Sequence, residues 1–130
     1  MRSLLRLSLW IGALFYFAEA VLHFFGLPIL EHDRIFLPTH DRYIAIMAIT
    51  YGVLLILIST DIKKYQSLFV ITMSGMLAQG INAAYITMTG GYRSYFPTQS
   101  LDPSIGLMGY GFLLWYIVTW LSWFQARKLD

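Results

Sequence analysis

The chain has 130 residues, of which 58% are hydrophobic and 12% are charged, with a formal net charge of +2 at pH 7. Soluble domains usually contain about a quarter charged residues, so this composition excludes an ordinary water-facing surface and predicts a single membrane domain over residues 1–130. The small, dispersed positive charge excludes a nucleic-acid partner. The absence of cysteine excludes disulfides, iron–sulfur clusters, thiolate metal sites and covalently attached c-type haem.

Four long apolar segments lie between the charged residues. They predict helices at about 4–26, 43–60, 65–89 and 104–126. Each segment has the roughly 20 residues that a helix needs to cross a hydrocarbon core of about 30 Å, where the backbone must satisfy its own hydrogen bonds. The sequence therefore predicts an all-α fold, a polytopic integral membrane four-helix bundle.

Residues that favour helix ends flank these segments. Gly26, followed by Pro28, predicts the end of the first helix. Thr39 or Asp41 is a candidate cap for the second helix. Asp102-Pro103 has the pattern of a cap followed by a first helical residue, which predicts the start of the fourth helix.

The first apolar segment also shares features with secretory signal peptides. Arg2 and Arg6 precede it, and Ala18-Glu19-Ala20 has the small-x-small spacing of a cleavage site. An acid between the two alanines is poor cleavage chemistry, so we expect the first helix to stay in the mature protein.

Basic residues predict the orientation of the bundle. Two of them precede the first apolar segment, two separate the second from the third, and two follow the fourth: Arg2, Arg6, Lys63, Lys64, Arg127 and Lys128. The positive-inside rule places these segments and both termini in the cytoplasm. Loops 27–42 and 90–104 are then expected on the non-cytoplasmic side of a multi-pass cell (inner) membrane.

Small and polar residues form stripes at helical spacing on three of the predicted helices. Helices in lipid associate through close packing of small residues and through polar side chains withdrawn from hydrocarbon, so we expect the stripes to face the bundle interior. They are Ser8, Gly12, Tyr16, Glu19 and His23; Ala45, Ala48, Gly52 and Ser59; and Thr72, Gly75, Gln79 and Asn82.

Glu19 is the most informative of these residues, because an acid inside a membrane helix is costly and commonly marks a functional site. His23 lies one turn further along the same helix face. Gln79, Asn82 and Tyr85 belong to the same half of the third helix. The sequence thus predicts a polar pocket, a candidate cofactor-binding site, that opens to the non-cytoplasmic side with the first loop at its rim.

One interpretation of this region is a transition-metal site. Its candidate ligands are His23, His32, His40, Asp33 and Asp41. Imidazole and carboxylate groups suit zinc, copper or iron. The spacing matches no established metal motif, and a histidine in a surface loop is more often simply solvated.

A second interpretation makes Glu19 and His23 a catalytic acid–base pair or proton relay that acts on a lipid-soluble substrate. The structural alternative is a protonated Glu19 that bonds Gln79 or Asn82 and holds the helices together. The sequence assigns no cofactor. His23 is the only histidine inside a predicted span, so a haem with two histidine ligands lacks a second one within the bundle.

A third interpretation, which we place first, requires no chemistry: the chain is an accessory or structural subunit of a larger membrane complex. Its partners are then the lipid bilayer and other membrane proteins, or further copies of itself. Aromatic residues are expected to contact lipid or a partner, namely Trp10, Trp115, Trp120 and Trp123. The segment 91–97 offers Tyr and Arg side chains for docking.

The segment 12–26, GALFYFAEAVLHFFG, in a short chain with four predicted spans, resembles the small DoxX-like membrane proteins. The similarity covers chain length, the number of spans and the character of the first helix. It implies a four-helix membrane bundle, and some members of that group are linked to quinone- or redox-associated complexes. The resemblance favours an accessory subunit and assigns no catalytic residue.

Overall fold

The computed structural model describes residues 2–27, 38–88 and 103–128, and over these residues it contains four α-helices and no strand. The helices are α1 (Arg2–Phe25), α2 (Pro38–Thr60), α3 (Gln66–Met88) and α4 (Pro103–Lys128). The all-helical prediction is confirmed. Among the described residues, α1 and α2 are long and apolar enough to cross a membrane.

Gly26 ends α1 as predicted. It has a φ of 61°, in the left-handed region that favours glycine, and the backbone N–H of Leu27 donates to the carbonyl of Leu22 at 3.0 Å. This six-to-one hydrogen bond is the Schellman arrangement, which satisfies a carbonyl left unpaired at the helix end. Pro28 lies outside the described residues.

Replacement of Gly26 by alanine is expected to lower the free energy of unfolding by about 1–2 kcal/mol, because a Cβ is strained at this φ. The measurement is equilibrium unfolding of the purified protein in mild detergent, followed by circular dichroism. Gly80→Ala is the matched control, since a Cβ there would meet its nearest neighbour, Phe112, at an ordinary 3.9 Å. Equal effects of the two substitutions would contradict the role assigned to Gly26.

Helix α2 begins at Pro38, five residues before the predicted start near residue 43. Proline suits the first turn of a helix, where its missing N–H costs nothing, and Asp41 suits the positive end of the helix dipole. Thr39 and Asp41 therefore lie within the first turn, and the prediction that one of them caps the helix was wrong. The apolar pattern marked the hydrophobic part of the helix, while the helix itself extends into a polar segment.

The other boundaries agree closely with the predictions. Helix α4 begins at Pro103, although Asp102 lies outside the described residues. A tight turn joins α2 to α3, in which the Asp61 carboxylate accepts the backbone N–H of Lys64 at 3.0 Å. The Asp61 carbonyl also accepts the N–H of Tyr65 at 3.1 Å. This turn makes α2 and α3 neighbours in the bundle.

Helix α1 packs against both α2 and α4, and α3 packs against α2. The stripes on α1 and α2 face the interior as predicted, with these residues buried: Ser8, Gly12, Tyr16, Ala45, Ala48, Gly52 and Ser59. At Gly52 the helices approach closely, because an added Cβ would lie 2.8 Å from the Phe17 ring. Small residues thus set the spacing of α1 and α2.

The tryptophans of α4 face the bundle more than predicted. The indole N–H of Trp115 donates to the Ser8 carbonyl at 2.7 Å, and the hydroxyls of Ser8 and Thr119 are hydrogen-bonded to each other. Trp123 is 4% exposed and stacks on Phe69 with ring centroids 5.0 Å apart. Trp115 is half-buried, whereas Trp123 is buried, and the prediction that Trp123 contacts lipid or a partner was wrong.

The physical reason is size complementarity between helices. Ser8 and Gly12 leave space on α1, and the Trp115 ring fills it. Trp120 is half-buried against Phe69, with ring centroids 5.3 Å apart. Trp10 is 46% exposed, in agreement with its predicted outward position.

Candidate functional site

The last turn of α1 and the first turn of α2 meet at His23. Its Nδ1 lies 3.0 Å from the Asp41 Oδ1, and its Nε2 lies 3.5 Å from the Glu19 Oε2. The three side chains are mostly buried, with exposed fractions of 14–20%. The structure therefore assembles a carboxyl–imidazole–carboxyl group, which we call the Glu–His–Asp cluster (Glu19, His23 and Asp41).

Local sequence explains how each member is positioned. Glu19 and His23 are four residues apart on one helix and so share a face. Asp41 is held on a helix because α2 begins as early as Pro38. The sequence had identified all three residues, but it placed Asp41 in the rim loop as a metal ligand rather than beside His23.

His23 can take part in proton transfer, because a neutral imidazole accepts a proton and an imidazolium donates one. Its Nδ1 is hydrogen-bonded to Asp41, whereas its Nε2 lies at an ion-pair distance of 3.5 Å from Glu19. An imidazolium would donate to Asp41 and attract the Glu19 carboxylate. The hydrogen bond joins groups on two helices.

A groove of about 320 Å³ adjoins the cluster between α1, α2 and α3. Its walls are mostly apolar or aromatic, and Glu19 and Gln79 are its charged and amide groups. Small-molecule sites usually combine such walls with a few polar groups in a volume of ~300–1,000 Å³. The lining residues are Phe15, Tyr16, Glu19, Ile44, Met47, Ala48, Tyr51 and Gln79.

Two tyrosines form part of the groove wall. The Tyr16 and Tyr51 rings pack with centroids 5.5 Å apart. Gly75 of α3 makes room for the Tyr51 hydroxyl, which would lie 2.8 Å from a Cβ added at that glycine. The absence of a side chain at Gly75 therefore allows both the position of Tyr51 in the groove wall and the close packing of α3 against α2.

The prediction for α3 is only partly confirmed. Gln79 lines the groove together with Glu19, as expected. Asn82 and Tyr85 are exposed, so the prediction that Asn82 faces the interior and floors the pocket was wrong. The three-residue step from Gln79 to Asn82 turns the helix by about 300°, which places Asn82 about 60° around the helix from Gln79.

The geometry gives no support to a metal site. Glu19 and Asp41 contact opposite nitrogens of His23, so the three groups do not converge on one point. Among residues 2–27, 38–88 and 103–128, no three His, Asp or Glu side chains are arranged to hold an ion. His40 is exposed, and His32 and Asp33 lie outside the described residues.

The α2 wall of the groove was not predicted from the sequence. Ile44, Met47 and Tyr51 flank the buried stripe of small residues, each one position before a member of that stripe. An apolar residue beside a small stripe is equally compatible with lipid contact. The pair of hydroxyl-bearing aromatics, Tyr16 and Tyr51, was the one signal that pointed to a wall with polar groups.

The sequence matches no family model, and no curated protein or solved structure matches it significantly. The resemblance of residues 12–26 to DoxX-like proteins therefore stays a prediction.

Proposed function

We propose that the chain is a small four-span membrane protein that binds a lipid-soluble molecule with a polar head in the groove between α1, α2 and α3. The observation that carries this proposal is the double position of Glu19. It lines the groove and also lies against His23 in the Glu–His–Asp cluster. A bound head group would therefore lie within reach of a carboxyl group that exchanges protons with His23 and, through it, with Asp41.

The exposed surface supports placement in a membrane. Large apolar side chains cover the outer faces of α1 and α2, including Leu7, Leu14, Ile46 and Val53, each about half exposed or more. Monomeric soluble proteins rarely expose contiguous apolar surface of this kind. In a membrane, hydrocarbon would surround this apolar surface, so its exposure would carry no free-energy cost.

Basic side chains gather at one end of the bundle, which supports the proposed orientation. Arg2, Arg6, Lys63 and Arg127 line one cavity where α1 begins, α2 meets α3 and α4 ends. The positive-inside rule then assigns this end to the cytoplasm. The Glu–His–Asp cluster lies at the opposite end of α1 and so would face the non-cytoplasmic side.

The proposal that the chain is an accessory subunit remains open beside this one. The exposed apolar faces suit a protein neighbour as well as lipid. Purification in mild detergent at native expression, with mass spectrometry of both proteins and small molecules, separates the two functions. A stoichiometric protein partner without a bound small molecule would favour the subunit, and a bound small molecule without a partner would favour the groove.

Filling the groove should remove the bound molecule. Met47 and Ile49 are similarly exposed on α2, at 48% and 45%, but only Met47 lines the groove. We expect Met47→Trp to reduce the co-purifying small molecule at least tenfold, because the larger ring occupies part of the cavity, while the matched control Ile49→Trp retains it. Extraction and mass spectrometry of the purified variants measure this amount. Equal retention by both variants would contradict the proposed site.

A further inference from the structure

A second cavity, of about 310 Å³, lies at the end of the bundle where α1 begins, α2 meets α3 and α4 ends. Among residues 2–27, 38–88 and 103–128, segments far apart in the sequence contribute four cationic side chains and one carboxylate to its wall. These charged residues are Arg2, Arg6, Asp61, Lys63 and Arg127, beside Thr60, Ile62, Gln66, Trp123 and Ala126. These exposed side chains come together where distant segments of the chain meet, and the excess of positive charge in the described part of the wall favours an anion.

Trp123 supplies an independent observation. It lines the cavity and is 4% exposed, and its indole N–H has no hydrogen-bond partner among the described residues. The N–H itself is shielded from the cavity, so Trp123 contributes its ring rather than a hydrogen-bond donor to the wall. The Arg127 guanidinium lies over the same ring, 4.9 Å from its centroid, which holds that cation at the wall.

The Asp61 carboxylate, the one carboxylate that the described residues contribute to the wall, is engaged by the backbone. Asp61 accepts the N–H of Lys64 at 3.0 Å in the turn between α2 and α3. This bond offsets part of its charge, and the arginines present planar donor groups that suit phosphate oxygens. The shared chemistry of the expected ligand is therefore a phosphate group.

We propose that this cavity binds the phosphate of an anionic phospholipid head group. Basic pockets between membrane helices at the cytoplasmic side suit such head groups. Exposed apolar residues in the adjoining turns of the same helices, Leu7 on α1 and Leu121 on α4, offer a surface for the acyl chains. The inference rests on the proposed membrane placement and is independent of the ligand in the other groove.

The first test compares three probes on the full chain in mild detergent: a short-chain phosphatidylglycerol, the corresponding phosphatidylcholine and inorganic phosphate. Affinity is measured by native mass spectrometry and by the shift of the thermal midpoint. We expect phosphatidylglycerol to bind at least tenfold more tightly than phosphatidylcholine and to raise the midpoint by a few degrees. Equal binding of the two lipids, or equal stabilisation by inorganic phosphate, would overturn the proposal.

The second test removes cations from the cavity. Arg6 and Arg127 are both exposed, so Arg6→Gln combined with Arg127→Gln is expected to preserve the fold. The affinity for phosphatidylglycerol should fall at least tenfold, since each basic residue near an anionic lipid surface contributes about a fivefold factor. Unchanged affinity of this double variant would overturn the assignment.

Arg42→Gln is the matched control for the cation test. Arg42 also lies over an aromatic ring, 5.9 Å from the Phe24 centroid, but at the opposite end of the bundle. Its substitution should leave lipid affinity unchanged, and an equal loss there would overturn the proposal by showing a general charge effect. Alkaline extraction of membranes tests the membrane placement separately from the lipid site. Release of the chain from the membrane would contradict that placement itself.

Discussion

Gly12→Ala is expected to destabilise the bundle by about 1–3 kcal/mol, the usual cost of adding volume to a packed interior. A methyl group at this position would contact the Trp115 ring, with Cε2 at 2.8 Å, and the Leu55 Cδ1 at 3.0 Å. Trp115 cannot rotate away without loss of its hydrogen bond to the Ser8 carbonyl, which measures 2.7 Å. The added methyl therefore forces α1 and α4 apart or breaks that bond.

The matched control for this substitution is Gly111→Ala on α4, where an added Cβ meets no atom within 4 Å. Alanine there is expected to be neutral or to stabilise the helix by up to about 1 kcal/mol through its higher helix propensity. Unfolding by denaturing detergent, followed by circular dichroism, gives both values. A Gly12→Ala variant as stable as the Gly111→Ala variant would show that α1 and α4 do not pack as described.

The contact between His23 and Asp41 is expected to couple α1 to α2 by about 1.5–3 kcal/mol, the range for a hydrogen bond that involves a charged group. The 3.0 Å distance and the low exposure of both side chains support the upper part of this range. A double-mutant cycle with His23→Ala, Asp41→Ala and the combined variant measures the coupling. The cycle also separates this coupling from the favourable interaction between the Asp41 charge and the α2 dipole.

A second cycle between Glu19 and His23 provides the control. These residues belong to one helix and lie 3.5 Å apart, so their coupling is expected to be only about 0.2–0.5 kcal/mol. The Asp41 cycle should exceed it because that contact joins two helices. Equal couplings, or a coupling near zero for Asp41, would remove the basis for treating the three residues as one cluster.

Helix positions and interior faces were largely predictable because they depend on local composition. Apolar length marks a helix, and small residues at three-and-four spacing mark the face that meets another helix, as Ala45, Ala48 and Gly52 do. Gly26 was predictable for the same reason, since its left-handed conformation is a local requirement. These features need no knowledge of which helix packs against which.

The partners across the bundle were not predictable from a single sequence. The space at Gly12 is evident from its size, but nothing local assigns Trp115 to fill it. Asp41 was named as a polar rim residue, whereas its contact with His23 depends on the early start of α2. The exposure of Asn82 reflects its position about 60° around α3 from Gln79, which lines the groove.

The packing of α1 has a consequence for biogenesis. Its hydrogen-bonded contacts with α4 join residues more than 100 positions apart, as in the bond from Trp115 to Ser8. During synthesis, which proceeds from the N-terminus, the Ser8 and Gly12 face of α1 must therefore wait for the last helix while α2 and α3 are made. An insertase or chaperone that shields this face during translation would protect the nascent chain, and ribosome-stalled chains shortened before residue 103 should crosslink to it through α1.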